Sequence, residues 1–118
     1  MPRPTFELLG YAVHHVVRAQ VCIERGRPWQ AAYWIGGVRD EAIALACRRR
    51  GLPDVEGRGV DDLPDEVLAR FDGALVRSLD PPELRRALRA ALDALMVEAD
   101  EARELADTVE PLLRELVA

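Results

Sequence analysis

Glu24-Arg-Gly-Arg-Pro-Trp-Gln-Ala-Ala-Tyr-Trp-Ile35, followed at once by Gly36-Gly37-Val38-Arg39-Asp40, is the stretch on which the reading of this chain turns. Gly26 is a natural stop for a helix arriving from the N-terminal side. Pro28 fits the first position of the next helix, where its missing N–H is no loss. One helix is therefore predicted from about Phe6 to Arg25, and a second from Pro28 to Arg50, closed by Gly51 and then Pro53. In the second helix Trp29, Tyr33, Gly36, Asp40, Ile43 and Cys47 fall on one stripe at 3.6-residue spacing. Ile35, Val38, Ala42, Leu45 and Ala46 form a core face roughly opposite. The stripe admits two readings. An aromatic wall, a side-chain-free gap at Gly36 and a carboxylate could cradle a polar ligand. Alternatively, Trp29 and Tyr33 are core residues and Gly36 lets another helix approach.

Working outward, the first helix places Leu9, Ala12, Val13, Val16 and Ile23 toward a core, and Glu7, Tyr11, His14, Arg18, Cys22 and Arg25 on a second stripe. Residues 51–61 hold Gly51, Pro53, Gly57 and Gly59 and read as a loop. A third helix is expected from Leu63 to Leu79, capped by Asp62, with Val67, Leu68, Phe71, Leu75 and Leu79 inward. Asp80-Pro81-Pro82-Glu83 reads as a full helix start, with Asp80 as cap and Glu83 closing a capping box. The fourth helix is predicted as the longest, Pro81 to about Thr108, with a seam of Leu84, Leu88, Ala91, Leu95, Ala102, Leu105 and Val109. Glu98 breaks that seam and sits either at a bundle edge or as a partly buried acid facing a cleft. Arg89–Asp93 and Arg103–Asp107 are surface pairs at i,i+4. Pro111 is expected to kink or restart the chain before a short final turn to Leu116. With no strand pattern and no repeat, the fold class is all-α: an antiparallel, up-down four-helix bundle with a short extra C-terminal helical turn.

At 118 residues the chain reads as one bundle domain over 6–118, with Met1-Pro-Arg-Pro-Thr5 a linker-like start. Apolar content of 49% excludes disorder, and no long charge-free run suggests a membrane span. A formal charge of −5 argues against a general nucleic-acid binder, and every basic residue is arginine. Cys22 and Cys47 lack metal-ligand spacing and point to reduced thiols in a cytoplasm. His14 and His15 are the only histidines. No partner at i+4 makes a zinc pattern with either, so no metal ligands are assigned. Ser78, the only serine, lies in no nucleophile elbow, and no glycine-rich phosphate loop follows a strand. No catalytic residue and no cofactor-binding residue is assigned in this chain.

Several segments together resemble one family. They are Glu24-Arg-Gly-Arg-Pro-Trp-Gln30, Arg39-Asp40, Leu45-Ala-Cys47, Gly51-Leu-Pro53, Gly57-Arg-Gly-Val-Asp-Asp-Leu-Pro64, and the Glu-Pro-Leu-Leu-Arg-Glu-Leu run at 110–116. From about Glu7 onward the chain resembles the C-terminal helical substrate-binding domain of bacterial nucleotidyltransferases of the aminoglycoside and lincosamide type. In that family a separate α/β domain carries a Gly-Ser motif and paired acids that bind metal and nucleotide triphosphate. The resemblance thus implies a non-catalytic domain or subunit that holds a small-molecule acceptor. Nucleotide and magnesium would be bound by a partner catalytic domain, in the same chain or as a separate subunit. Tyr11, His14, Trp29, Tyr33 and Asp40 are the candidate substrate-binding residues. A second class is a structural or dimerisation bundle without ligand, in which two copies pair. A third is a helical RNA-cleaving domain of the toxin–antitoxin type. That last class needs an arginine upstream of the histidine, where positions 7–10 here read Glu-Leu-Leu-Gly.

Overall fold

The computed structural model describes residues 3–118. Five α-helices follow one another: α1 Thr5–Glu24, α2 Pro28–Arg49, α3 Asp65–Gly73, α4 Pro81–Glu98 and α5 Arg103–Leu116. Single 3-10 turns stand at Val60–Asp62 and Asp100–Ala102, and no strand occurs among the described residues. None of these helices is long and apolar enough to cross a membrane. Of the linker-like start, Met1 and Pro2 lie outside the described residues, while Thr5 already opens α1.

The two glycine stops act as their chemistry dictates. Gly26 (φ 68°) and Gly51 (φ 70°) occupy the left-handed region just past α1 and α2. In α1 the amides of Gly26 and Arg27 donate to the carbonyls of Ile23 and Cys22 at 3.1 and 2.9 Å. In α2 those of Gly51 and Leu52 donate to Arg48 and Cys47 at 3.2 and 2.9 Å. Both are Schellman closures, which satisfy carbonyls that a helix end would otherwise leave unpaired.

The core lies where α1, α2 and α4 pack on one another, with α3 against α4 and α5 against α1. Ile35, Val38, Ala42, Leu45 and Ala46 of α2 are all buried, as their spacing predicts. So are Leu9, Ala12, Val16 and Ile23 of α1 and Leu84, Leu88, Ala91 and Leu95 of α4. Burying each of the larger side chains contributes roughly 1.5–3 kcal/mol.

Four expectations need correction. The third helix starts at Asp65 behind Pro64, because Asp62 is taken up in the 3-10 turn. It stops at Gly73 instead of Leu79. The guanidinium of Arg86 reaches from α4 and donates to the carbonyls of Gly73 (2.6 Å) and Leu75 (2.9 Å), so side-chain bonds replace further helical ones. Second, the capping box at α4 does not form. Asp80 makes no side-chain cap bond, and Glu83 instead accepts from the Arg77 amide (2.9 Å) and from Arg86 (2.6 and 2.7 Å). These bonds, Arg86 first, hold the Glu83 carboxyl down at about 2.

Third, the long last helix is two helices. A continuing helix would need the carbonyls of Met96 and Val97. Arg103 donates to Met96 at 2.6 Å and Arg49 to Val97 at 3.1 Å, so both acceptors are occupied and the chain turns at Ala99. Glu98, at the break, is 1% exposed rather than at an edge. Arg49 and Arg50 from the end of α2 donate to its carboxylate at 3.1 and 3.0 Å, and Arg70 of α3 stands 3.6 Å away. Fourth, the expected short C-terminal turn is the 14-residue helix α5, which carries Pro111 within it. Asp93 pairs across to Arg114 of α5 instead of along its own helix to Arg89, while Arg103–Asp107 does form at 3.6 Å.

Two stability measurements follow from this anatomy. Glu98→Ala removes the carboxylate shared by three partly exposed guanidiniums, of which Arg49 keeps Asp100, and should cost about 1–3 kcal/mol in urea unfolding. Asp80→Ala removes no cap bond and should stay within about 0.5 kcal/mol of the parent. Comparable losses in the two variants would contradict the assignment of the α4 start and end.

Candidate functional site

One flank of α1 carries Tyr11, His14, His15 and Arg18 at helical spacings of three and four, and it meets the outer side of α2 around Trp34. Five side chains converge there. The His15 ring lies 5.1 Å from the Trp34 ring, centroid to centroid, tilted by 36°. His14 and Tyr33 meet Trp34 edge-on at 5.7 and 5.1 Å. The Arg18 guanidinium sits over the indole at 5.6 Å, within cation–π range. Buried inside the cluster, Trp34 Nε1 and His15 Nδ1 have no hydrogen-bond partner.

Gly37 makes this packing possible. A Cβ there would stand 3.0 Å from His15 Cδ2, so the imidazole lies directly on the α2 backbone. The sequence stripe assigned the side-chain-free gap to Gly36. At that position a Cβ would meet only the far end of Arg39, at 3.3 Å. The close approach therefore belongs to the neighbouring glycine.

The residues singled out from sequence occupy several places along this face. Tyr33 and His14 belong to the Trp34 cluster. Tyr11 is 48% exposed, lies 5.3 Å from the Arg3 guanidinium, and shares an open apolar groove of about 670 Å³ with Phe6, Gly10 and His14. Trp29 is 78% exposed and flanks a separate hollow with Gly26, Arg27 and Gln30. Asp40 is exposed and lines a more enclosed cleft of about 480 Å³, between the C-terminal half of α2 and the loop at Pro53–Val60. That loop covers the far end of the stripe, which is why Ile43 is partly buried and Cys47 fully so. Cys22, expected on the polar flank of α1, is a core residue.

Charge and burial set the chemistry of these groups. Burial, then the neighbouring His14, lowers the His15 pKa below its ordinary value, against a smaller opposing pull from Asp40. Burial raises the Glu41 carboxyl despite Arg3 at 3.5 Å. It also pushes the Cys47 thiol up, which disfavours the thiolate needed for nucleophilic attack. The face is therefore suited to binding by stacking and hydrogen bonding. Trp34 and His15 are the members that stripe reasoning passed over, whereas Arg18 stood on the α1 stripe without a role assigned to it. The signal available for them was the second glycine, together with Arg18 one turn beyond His15.

Two predictions test this geometry. Because the folded protein disfavours protonated His15, the unfolded chain binds the extra proton first as pH falls below about 6.5. Stability should be full above that value and decline below it, until the folded form also protonates. His15→Leu should flatten the decline in urea midpoints measured from pH about 8 to about 5. The glycines should separate by sign. Gly36→Ala should stabilise by about 0.5–1 kcal/mol, whereas Gly37→Ala should cost about 1–2 kcal/mol by displacing the imidazole. Equal effects on thermal unfolding would refute the assignment of the close contact to Gly37. Among known proteins, no family model, no curated protein and no solved structure matches this chain.

Proposed function

We propose that this chain is a non-catalytic helical substrate-binding domain or subunit, working beside a nucleotidyltransferase catalytic domain and holding a small-molecule acceptor on the outer face of α1 and α2. In this reading α1 to α4 run up and down as an antiparallel bundle, with α5 added against α1. The observation that carries it is the exposure of Tyr11, Trp29 and Tyr33 (48, 78 and 71%) on one pair of helices that also carries Asp40 at the mouth of a cleft. Exposed aromatics spread over neighbouring hollows of one face, beside uncommitted polar groups, support reading that face as a binding surface. The sequence likeness described above supplies the type of partner.

The aromatic rings offer flat apolar area to a ring substrate, and Asp40 offers a carboxylate to an amine or hydroxyl. No ion pair or side-chain hydrogen bond within 4 Å engages Asp40 among the described residues, so its charge is available. A second reading, association of two copies, draws on a different surface. Leu105, Leu112 and Leu116 of α5 are exposed at 40, 66 and 37% along one side of that helix.

The test joins the chain to a nucleotidyltransferase catalytic domain and follows magnesium-dependent pyrophosphate release. The 118-residue chain alone should release none. In the joined protein Asp40→Asn should leave thermal unfolding unchanged and weaken acceptor binding about ten- to hundredfold, the worth of one charge-assisted hydrogen bond. Loss of the fold with unchanged binding per folded molecule would make Asp40 structural.

A further inference from the structure

The last segment of the chain joins an exposed apolar stripe to an excess of acid. Residues 100–118 hold six acids against two arginines, a net charge of −4. In α5, Ala106 and Leu113 are buried against the rest of the fold, while Leu105, Leu112 and Leu116, spaced by seven and four, fall on a second stripe that stays exposed. Leu112, at its middle, is 66% exposed. Thr108 lies at the edge of this stripe with its hydroxyl spent on the Glu104 carbonyl at 2.9 Å. At the N-terminal end of the stripe, Leu105 and Thr108 share an open hollow of about 690 Å³ with Phe6 of α1, itself 61% exposed.

We propose that this stripe docks a cationic amphipathic helix of a partner protein, which packs apolar side chains on Leu105, Leu112 and Leu116 and sets arginine or lysine against Glu104 and Glu115. The pairing of charges on α5 is what specifies the partner. Arg103 pairs with Asp107 and donates to the Met96 carbonyl, and Arg114 pairs with Glu110 and Asp93. Both arginines of the segment are therefore spent. Glu104 and Glu115 are exposed and have no cation within 4 Å among the described residues. They stand eleven residues apart, about three turns, and so form a column along one edge of the leucine stripe. The helix thus offers apolar area with uncompensated negative charge beside it. Its complement is a helix with an apolar face and positive flanks.

Charge also selects among occupants. In a pair formed by two copies of this chain, parallel packing of α5 sets each of these glutamates against its own counterpart, and antiparallel packing sets Glu104 against Glu115. Either way like charges meet, with no free arginine on the segment to separate them. An anionic lipid surface or a nucleic acid would be repelled by the same acids. The 14 residues of α5 extend over about 21 Å, which about four turns of a partner helix match. None of the residues assigned to the acceptor takes part, so the inference goes beyond that reading and does not depend on it.

The experiment uses the chain as it stands and a fluorescein-labelled peptide of about 18 residues, long enough to span α5, built from leucine and arginine with the leucines at helical spacing. Two controls accompany it: the same composition in an order that gives no apolar face, and the same pattern with glutamate for arginine. Fluorescence anisotropy should show the patterned arginine peptide binding about tenfold or more tighter than either control. Leu112→Gln should weaken it about tenfold, the worth of one leucine contact. Glu104→Gln together with Glu115→Gln should weaken it about threefold or more at low salt and flatten its salt dependence. Leu75→Gln, an exposed leucine between α3 and α4, should change nothing. Sedimentation of the chain alone at about 0.1 mM should show a monomer. The proposal fails if the reordered peptide binds equally, since that is attraction to net charge alone, or if the glutamate peptide does. It also fails if Leu112→Gln, with unaltered thermal unfolding, binds like the parent, or if the chain alone forms a dimer that Leu112→Gln abolishes. Neither a catalytic domain nor an acceptor is present, so failure here leaves the Asp40 test standing.

Discussion

Glu98 ends the last core turn of α4 with its carboxylate out of water, and three arginines from two other helices close on it. A buried carboxylate without cations would cost several kcal/mol, so the group can occupy this position only with its partners in place. Arg49 and Arg50 stand at the very end of α2, which fixes where that helix stops relative to α4. Arg70 draws in α3, and Arg49 extends to Asp100 at 2.7 Å beyond the break. The same Arg49 occupies the Val97 carbonyl, so the charge cluster also decides where α4 ends and α5 begins. Such clusters add little net stability over a well-packed apolar alternative. What this one supplies is position.

That positioning extends through α2 to the face it shares with α1. One end of this helix is anchored by its final arginines, and the other presents Trp29, Tyr33 and Trp34. The helix is long enough that roughly 16 Å separate Trp29 from Asp40 along its axis, at 1.5 Å per residue. A face of that length does not form one pocket. It divides into the groove beside Tyr11, the cluster around Trp34, and the cleft at Asp40. Sites carried on rigid, packed helices hold their geometry better than sites carried on loops.

Legibility from sequence followed the range of the interactions involved. The Schellman stops at Gly26 and Gly51, the Pro28 start and the buried faces of α1, α2 and α4 depend on residues within a few positions of one another. Helical spacing and turn chemistry therefore expose them. The end of α3 and the split of the last helix depend on Arg86, Arg49 and Arg103 bonding to distant carbonyls. No local pattern encodes which carbonyl a long side chain will reach. Glu98 was visible as a seam break, but its burial required knowing that α2 delivers two arginines to the same point. At the meeting of α1 and α2, Tyr33 and His14 each stood on a stripe visible in the sequence, one on either helix, and both rings meet Trp34. His15 and Trp34 stood on neither stripe, since each neighbours a stripe residue and turns about 100° away from it on its own helix. Only the crossing of α1 and α2 brings those two rings together.

The double glycine shows that adjacent glycines of one helix can meet quite different surroundings. Each glycine inside a helix costs about 1 kcal/mol relative to alanine. For Gly37 the compensation is packing, because the His15 ring occupies the space of the missing side chain and lies against Trp34. No comparable packing occurs at Gly36, where only the mobile tip of Arg39 is close. The cost at Gly36 is thus not recovered inside the domain. The Arg39 guanidinium lies over the helix there, and no ring or backbone presses against it. Packing inside the domain thus accounts for Gly37 and leaves Gly36 without a structural partner of its own.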